Sequence, residues 1–149
     1  MISSLSIVSI ISIGLMIGVE LAVWAFINPI LWKLEEPART QAVRLFAARL
    51  GKAMPFWYSG NFLLLAIQAF LLRGQPAVRL LATASGIWAA VIILTLIFLV
   101  PINNRLARQD TALPPDQAHR QHCRWDAMHR ARVAALVAAY LLLLVAIHN

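Results

Sequence analysis

Four long apolar runs constrain the fold of this chain more than any other feature of its sequence. They lie at residues 5–32, 55–72, 77–100 and 128–147. A helix rises about 1.5 Å per residue, so about 20 residues cross the ~30 Å hydrocarbon core of a bilayer. None of the runs shows the two-residue alternation of a β-strand, and lipid admits only helices and closed barrels. The sequence therefore predicts an all-α integral membrane protein, a bundle of four transmembrane helices.

Composition excludes an ordinary soluble domain. Hydrophobic residues make up 61% of the chain and charged residues 13%, whereas soluble domains are about half apolar and about a quarter charged. The mean hydropathy is +0.75. A soluble protein with this composition would expose apolar patches that aggregate. The 149 residues suffice for one membrane domain, which we expect to cover residues 1–149.

The positive charges lie in the segments that join the apolar runs. All 13 Lys and Arg residues fall between Lys33 and Arg132, and the net charge is +7. A nucleic-acid-binding domain would carry such charges on a folded soluble surface. The apolar composition leaves no room for that surface, so we expect no nucleic-acid partner. Anionic lipid headgroups are the expected partner of these charges.

The distribution of the positive charges predicts the orientation in the membrane. The first connector has five Lys and Arg, the second has two and the third region has six. Positive residues accumulate on the cytoplasmic side of a membrane, and the first and third connectors share one side. We therefore expect both termini outside the cytoplasm, in the inner membrane of a bacterium.

The first connector carries a helical pattern of its own. Across residues 38–54, apolar side chains recur on one helical stripe and several basic side chains lie off it. This pattern is typical of an amphipathic helix that lies in the membrane interface. Gly51 and Pro55 are expected to separate it from the second transmembrane helix. A turn is expected at Gly74-Gln75-Pro76, and a helix break at residues 113–116, which include two prolines.

One ionisable residue, Glu20, lies well inside the first apolar run. A charged group there is costly unless it is neutral, paired or facing a cavity, so a functional role is the default interpretation. The structural alternative is a protonated Glu20 that bonds a neighbouring backbone carbonyl.

The fourth run supplies a second polar face. Trp125, His129, Arg132 and Tyr140 recur at helical spacing and therefore lie on one side of a helix. An arginine near a helix end can also extend its guanidinium to lipid phosphates. Arg132 lies deeper than Arg130 and shares the face of the aromatic residues, which favours a site.

Amide side chains mark two further positions. Asn103 and Asn104 follow the third run, where they either bind a ligand or cap the helix end. In the second run, Trp57, Asn61 and Gln68 share a face. Amides in lipid usually hydrogen-bond to a neighbouring helix, so this face predicts contact between helices.

His119, His122 and Cys123 are of the types that bind zinc or copper. No second pair of ligands accompanies them, and we assign no metal site. Cys123 is the only cysteine, so no disulfide forms within the chain. The sequence requires no cofactor and leaves a metal or haem open. Haem ligation by His129 would lack a second axial ligand at a matching depth.

Motifs along nearly the whole chain resemble the anthrone oxygenase-like membrane proteins, many of which have no assigned function. The motifs are Gly18-Val19-Glu20 with Asn28-Pro29, Leu50-Gly51-Lys52-Ala53-Met54-Pro55-Phe56-Trp57, Pro101-Ile102-Asn103-Asn104-Arg105-Leu106, and Arg124-Trp125-Asp126-x-x-His129-Arg130-x-Arg132. Members often carry His where this chain has Asn28. The fungal members oxidise anthrones to anthraquinones with O₂, and most bacterial members have no assigned substrate.

The resemblance implies a membrane-embedded oxygenase or oxidoreductase that acts on a lipophilic phenolic, anthrone- or quinone-like molecule. Glu20 or His129 would then serve as the base. Arg132, with Asn103 and Asn104, would hold the developing phenolate.

Further residues would bind the flat body of such a substrate. Trp57, Trp125 and Tyr140 would form its aromatic walls, and Asn28 is another candidate for substrate binding. The alternative is a non-catalytic protein that binds a lipophilic ligand or assists transport, in which a Glu–Arg ion pair fixes the helix register. A cavity beside the pair favours the enzyme, and tight packing favours the alternative. The sequence leaves the oligomeric state open.

These candidates predict one arrangement. A polar pocket in the cytoplasmic half of the bundle should bring together Glu20, Asn103, His129 and Arg132. Trp57 and Trp125 should lie at its rim. Two opposite charges that faced apart would each bear an uncompensated burial cost. Glu20 and Arg132 should therefore approach directly or through one bridging group.

Overall fold

The computed structural model describes residues 4–108 and 115–148, and the side chains of all of these except 105–108, 115, 116, 118 and 119. In these ranges, four helices are long and apolar enough to cross a membrane. We number them α1 (Ser4–Leu31), α2 (Glu36–Leu71), α3 (77–108) and α4 (Pro115–His148). The all-α four-helix prediction is confirmed, and the chain is an integral membrane protein.

Each helix buries one face and exposes another. The buried residues of α1 recur at helical spacing. They are Ser6, Ser9, Ile13, Met16, Ile17 and Glu20. Large apolar side chains such as Ile7, Ile11 and Leu15 are exposed on the outer faces of the bundle. Lipid solvates such an apolar exterior, which a soluble protein could not present to water.

The helices pack as antiparallel neighbours around a core that includes Leu65, Trp88 and Leu136, each fully buried. The most extensive contact is between α3 and α4, and α1 contacts both α2 and α4. The last turns of α1 and α3 and the first turns of α2 and α4 consequently meet at one end of the bundle. We call this the connector end.

Helix α2 runs without interruption from Glu36 to Leu71, with Pro55 inside it. The predicted separation at Gly51 and Pro55 is therefore wrong. A proline removes one hydrogen bond, to the carbonyl four residues earlier, at a cost of about 3 kcal/mol. Membrane helices tolerate this because nearby groups satisfy the freed carbonyl. The position of residues 38–54 in the membrane interface stays a prediction.

Helices α2 and α4 both extend beyond their apolar runs at the connector end. Helix α4 begins at Pro115, well before the start of the run at residue 128. Proline is favoured in the first turn of a helix, because a backbone N–H there has no partner within the helix and its absence costs nothing. The helix break predicted at residues 113–116 falls partly outside the described residues. The turn predicted at 74–76 is confirmed, since Gly74 has a φ of 93° between α2 and α3.

Two π-helical segments interrupt α1 and α3 at the same distance from a proline. They span Val23–Ile27 and Thr95–Leu99, and each begins six residues before Pro29 or Pro101. A proline ring clashes with the carbonyl four residues before it, and a π turn moves that carbonyl away by adding a residue to the turn. Such segments occur frequently at functional sites. Both lie at the level of the cavity described below.

Uncharged polar side chains join α1 to α2 in the half of α1 that precedes Glu20. We call them the amide cluster, which comprises Ser6, Ser9, Ser12, Trp57, Asn61 and Gln68. Gln68 accepts a hydrogen bond from Ser6 Oγ at 3.0 Å and donates through Nε2 to Ser9 Oγ at 2.8 Å. The amide oxygen and nitrogen of this side chain are therefore both satisfied.

A second layer of the amide cluster lies one helical turn further along α1. Ser12 Oγ donates to Asn61 Oδ1 at 2.6 Å, and Trp57 Nε1 donates to Ser12 Oγ at 3.0 Å. The prediction that Trp57, Asn61 and Gln68 form contacts between helices is confirmed.

Candidate functional site

Glu20 is only 3% exposed, and both of its carboxylate oxygens accept hydrogen bonds. Tyr58 Oη donates to Oε1 at 2.8 Å, and Arg132 Nη2 donates to Oε2 at 2.6 Å. Glu20 and Arg132 thus approach directly, as the sequence predicts. Because the guanidinium charge opposes that of the carboxylate and each oxygen has a donor, the cost of burying an ionised Glu20 is offset.

His129 is 1% exposed, and its two ring nitrogens have different partners. Nε2 lies 3.1 Å from the backbone oxygen of Glu20, and Nδ1 lies 2.9 Å from Nη2 of Arg132. A carbonyl only accepts and a guanidinium only donates. Nε2 therefore carries the proton, Nδ1 is an unprotonated acceptor, and the imidazole is neutral. Nδ1 also lies 3.5 Å from Oε2 of Glu20.

Four helices position these groups, which we call the ionised cluster: Glu20, Tyr58, His129 and Arg132. His129 and Arg132 are three residues apart on α4 and so face the same side. Trp88 of α3, fully buried, donates its Nε1 to the backbone oxygen of Tyr58 at 3.0 Å. This bond holds α3 against α2 at the level of the cluster, and α1 contributes the carboxylate.

The ionised cluster forms one end of a cavity of about 1720 Å³ at the connector end of the bundle. All four of its members line the cavity, together with residues from the last turns of α1 and α3 and the first turns of α4. The longest wall is the amino-terminal half of α2, from Glu36 to Ser59. The buried ion pair therefore lies beside open space.

Buried polar atoms of residues that line this cavity have no hydrogen-bond partner among the described residues. They include the donors Nε1 of Trp125 and Nε of Arg132. The Trp125 indole stacks on the His129 ring, with centroids 4.8 Å apart and planes 10° apart. A buried donor without an acceptor is unfavourable, so the site can bind an acceptor such as a carbonyl or phenolate oxygen. The Thr95 hydroxyl, also on the cavity, is likewise unpaired.

The three predicted asparagines line the same cavity, although they differ in their surroundings. Asn28 is 9% exposed and donates through Nδ2 to Asp126 Oδ1 at 3.1 Å. Asp126 also pairs with Arg130, so Asn28 is part of the wall that joins α1 to α4. Asn103 is partly buried and Asn104 is exposed. Their roles in binding stay predictions.

Two aromatic residues predicted for the site do not line this cavity. Trp57 belongs to the amide cluster, where it donates to Ser12. Tyr140 packs against Gly14, so that a Cβ there would lie 3.2 Å from the Tyr140 hydroxyl. The predicted aromatic walls therefore reduce to Trp125, and Trp57 is not at the rim.

Sequence reasoning missed Tyr58. Adjacent residues of a helix point about 100° apart, so Trp57 turns towards Ser12 and Tyr58 turns towards Glu20. The signal that could have identified Tyr58 is the buried stripe of α2, which runs through Tyr58, Asn61, Leu65 and Gln68 at helical spacing.

Of the three metal-type residues, His122 lines the cavity, where its ring contacts Trp32 with centroids 3.8 Å apart and planes tilted by 34°. Cys123 is exposed. The His119 side chain lies outside the described residues. Within the part of the chain that the structure describes, no three His, Cys, Asp or Glu residues are placed to hold a metal ion together.

The fold and the ionised cluster define a class: a four-helix integral membrane protein with a buried ion pair and a neutral histidine beside a cavity. A family model described as anthrone oxygenase matches residues 43–142, about two thirds of the chain. The chain belongs to the anthrone oxygenase family. The matched region includes Tyr58, His129 and Arg132 and begins after Glu20. No curated protein and no solved structure matches the chain.

Proposed function

We propose that the protein is a membrane-embedded oxygenase that acts on a lipophilic phenolic, anthrone- or quinone-like substrate. It would remove a proton from the substrate and allow the resulting anion to react with O₂. The observation that carries the proposal is the neutral His129, whose Nδ1 acceptor lies beside the Glu20–Arg132 pair at the end of a large cavity. Membership of the anthrone oxygenase family supports the same class of reaction.

The unpaired donors bind the substrate oxygen in this proposal. Arg132 and Trp125 both line the cavity, and their Nε and Nε1 atoms are buried without a partner among the described residues, so a small side-chain shift would bring these donors to a bound oxygen. The Arg132 side chain is also the more exposed partner of the ion pair, at 13% against 4% for Glu20. A preorganised donor stabilises an oxygen most when negative charge develops on it. The two donors therefore favour the phenolate over the neutral phenol.

His129 accepts the proton in this proposal. Its ring is nearly inaccessible and its in-plane Nδ1 lone pair faces Nη2 of Arg132, so Arg132 must shift from Nδ1 to the substrate oxygen before the proton can transfer. Once Nδ1 is protonated, Arg132 can no longer donate to it. Oε2 of Glu20, 3.5 Å from Nδ1, then pairs with the imidazolium. Glu20 is thus a positioning residue, because its oxygens already accept from Tyr58 and Arg132.

The reaction balances with O₂ as the oxidant. Deprotonation of the anthrone methylene gives an anion, which adds O₂ and regains a proton to form a hydroperoxide. Loss of the second methylene proton and cleavage of the O–O bond then release water and leave a carbonyl. One O₂ is consumed and one water is formed. The carbon loses four electrons and O₂ gains four.

We place the cavity in the cytoplasmic half of the membrane, with both termini on the other side. The connectors at the cavity end hold five and six of the 13 Lys and Arg residues, which favours the cytoplasm. These charges would bind anionic headgroups. Reporter fusions after Gly74 and at Asn149 should indicate a non-cytoplasmic location. A cytoplasmic carboxyl terminus would overturn this orientation.

Oxygen uptake by the purified protein in lipid nanodiscs tests the activity. With an anthrone as substrate, uptake should exceed the rate in empty nanodiscs, and labelled O₂ should place one labelled oxygen in each anthraquinone formed. His129→Ala should reduce the rate to that of empty nanodiscs. Asn61→Ala, in the amide cluster, is the matched control and should retain the rate. Equal rates with His129→Ala and the native chain would remove the histidine from the mechanism.

A second candidate function is favoured by the tight enclosure of the carboxylate. Glu20 has two donors and is 3% exposed, as expected of a structural pair in a protein that binds a lipophilic ligand without catalysis. Nanodiscs that bind an anthrone but do not accelerate its oxidation would support this candidate. If this candidate is correct, the native chain and His129→Ala should both take up oxygen at the rate of empty nanodiscs. The variant should differ from the native chain only in how tightly it binds the anthrone.

A further inference from the structure

The cavity is much longer than the substrate ring that the proposed function requires. It follows α2 from Tyr58 back to Glu36, 22 residues earlier, which is about 33 Å of helix rise. A fused three-ring molecule is about as long as one helix is wide, roughly 10 Å. The volume of about 1720 Å³ also exceeds the roughly 300–1,000 Å³ of most small-molecule sites. A bound ring would leave most of this space empty.

The two parts of the cavity differ in chemistry. The end at Tyr58 holds the ionised cluster and the unpaired donors. Beyond it, the lining includes charged side chains, such as Arg39 and Arg44, and a set of apolar side chains from two helices. The apolar side chains are Val43, Ala47, Leu50 and Met54 of α2, and Ile27 and Leu31 of α1.

The apolar part has the shape of a strip. Residues 43, 47, 50 and 54 recur at helical spacing, so they follow one line along the axis of α2. This strip is continuous with the polar end, because Met54 lies one helical turn before Tyr58. A linear chain attached to a ring would fill such a strip, whereas a second ring would not reach its far end.

We infer that the substrate is a ring with a long aliphatic or isoprenoid chain, a phenol or quinol lipid, whose ring contacts Arg132 while its chain lies along residues 43–54 of α2. This inference rests on the proposed function and names its substrate class. The chain gains little from leaving water, since the bilayer already solvates it. Its contribution is packing against the strip, which orients the ring towards His129.

Two variants in which an alanine is replaced by tryptophan test the inference in nanodiscs. Ala47→Trp fills the strip, and Ala53→Trp is the control, because Ala53 lies on the same helix, is exposed and does not line the cavity. Two probes are used, a hydroxylated anthrone and the same anthrone with a long alkyl chain. Their dissociation constants are expressed per mole of lipid, so that partitioning into the bilayer cancels.

In Ala47→Trp we expect the dissociation constant of the chain-bearing probe to rise by about tenfold or more, because overpacking a filled space is costly. The ring-only probe should change by less than about twofold, because the ring binds at a distance from residue 47. Ala53→Trp should change neither constant. Equal weakening of both probes in Ala47→Trp, or of neither, would overturn the inference.

A measurement on the native chain removes any dependence on how the variants fold. A photoreactive diazirine at the end of the alkyl chain should label residues 43–54 of α2 or residues 27–31 of α1. Label spread over the outer faces, at residues such as Phe26 and Leu94, would contradict the inference. A phospholipid with the same diazirine is the second arm. If it labels the strip equally, the strip is a lipid groove and the inference falls.

The outcomes separate this inference from the proposed function. If both probes are oxidised equally and the chain end labels only outer faces, the oxygenase stands and the chain-binding strip does not. If neither probe is oxidised but the chain end labels the strip selectively, the strip stands as a binding site and the oxygenase does not.

Discussion

Two buried polar clusters connect α1 with α2, and they differ in charge and in what surrounds them. The amide cluster contains serines, amides and one indole, and its hydrogen bonds run between the two helices. The ionised cluster contains a carboxylate and a guanidinium, includes α4, and lies beside the cavity. The first satisfies its groups within the protein, whereas the second retains an unpaired donor on Arg132 and is stacked against Trp125, which has another.

The difference shows how to distinguish packing from function among polar residues in a membrane. Neutral amides in lipid gain modestly by pairing, and their partners are neighbouring helices. An ion pair carries a larger desolvation cost, which a hydrophobic replacement would avoid. Its presence beside a cavity therefore supports the proposed role in the reaction. Substitutions in the two clusters should therefore differ in their effects on turnover and on stability.

The largest difference should be in turnover. His129→Ala removes the proposed base and should reduce the anthrone oxidation rate by about 10²- to 10⁴-fold, the usual contribution of general base catalysis. Asn61→Ala removes a buried polar side chain of the amide cluster and should leave the rate unchanged. Oxygen uptake at saturating substrate measures both. A comparable loss in Asn61→Ala would show that the clusters do not differ in function.

The next largest effect should be on stability, through the ion pair. Arg132→Met leaves Glu20 buried without its cation and should lower the free energy of unfolding by about 3–5 kcal/mol. The double variant Glu20→Gln with Arg132→Met removes both charges and should recover most of this loss. Unfolding in mixed detergent micelles gives the values. If the double variant lost as much unfolding free energy as Glu20→Gln and Arg132→Met lose together, the two residues would not be coupled.

A smaller loss should follow removal of the tyrosine hydroxyl. Tyr58→Phe keeps the ring next to Trp88 but deletes the donor to Oε1 of Glu20. A hydrogen bond to a charged group contributes about 1.5–3 kcal/mol. Tyr140→Phe is the control, because the Tyr140 hydroxyl packs against Gly14 outside the cluster. Equal losses of unfolding free energy in the two variants would mean that the hydrogen bond to Glu20 adds nothing to stability beyond the loss of a tyrosine hydroxyl.

The fold was largely predictable because lipid imposes strong constraints on a sequence. Runs of about 20 apolar residues identified the four spans, and the cost of isolated charges predicted that Glu20 meets Arg132. The helix ends were not predictable in the same way. An apolar run indicates which residues cross the lipid, and α2 and α4 continue beyond their runs into segments of mixed polar and apolar residues.

The site was predicted less completely, for reasons of helical phase. Trp57 and Tyr58 are neighbours, and hydropathy does not decide which of them faces α1 at Ser12 and which faces Glu20. The Tyr140 hydroxyl packs against Gly14, where a Cβ would lie only 3.2 Å from it, and hydropathy does not predict such a contact. The longest wall of the cavity is the part of α2 before Pro55, which the sequence predicts to be a separate helix.

The smallest effect should come from the amide cluster itself. Gln68→Leu removes an acceptor from Ser6 and a donor from Ser9, while the leucine keeps similar volume in the interface. Hydrogen bonds between membrane helices contribute about 0.6 kcal/mol on average and about 1.7 at most, because the unfolded helix also finds partners in the membrane. We expect a loss of unfolding free energy in this range and no change in oxygen uptake. Ile67→Leu, on the exposed neighbouring position, should change neither quantity. A loss of unfolding free energy as large as that of Arg132→Met would show that the amide cluster contributes as much to stability as the ion pair. Charge beside a cavity would then not distinguish a functional site from a packing contact.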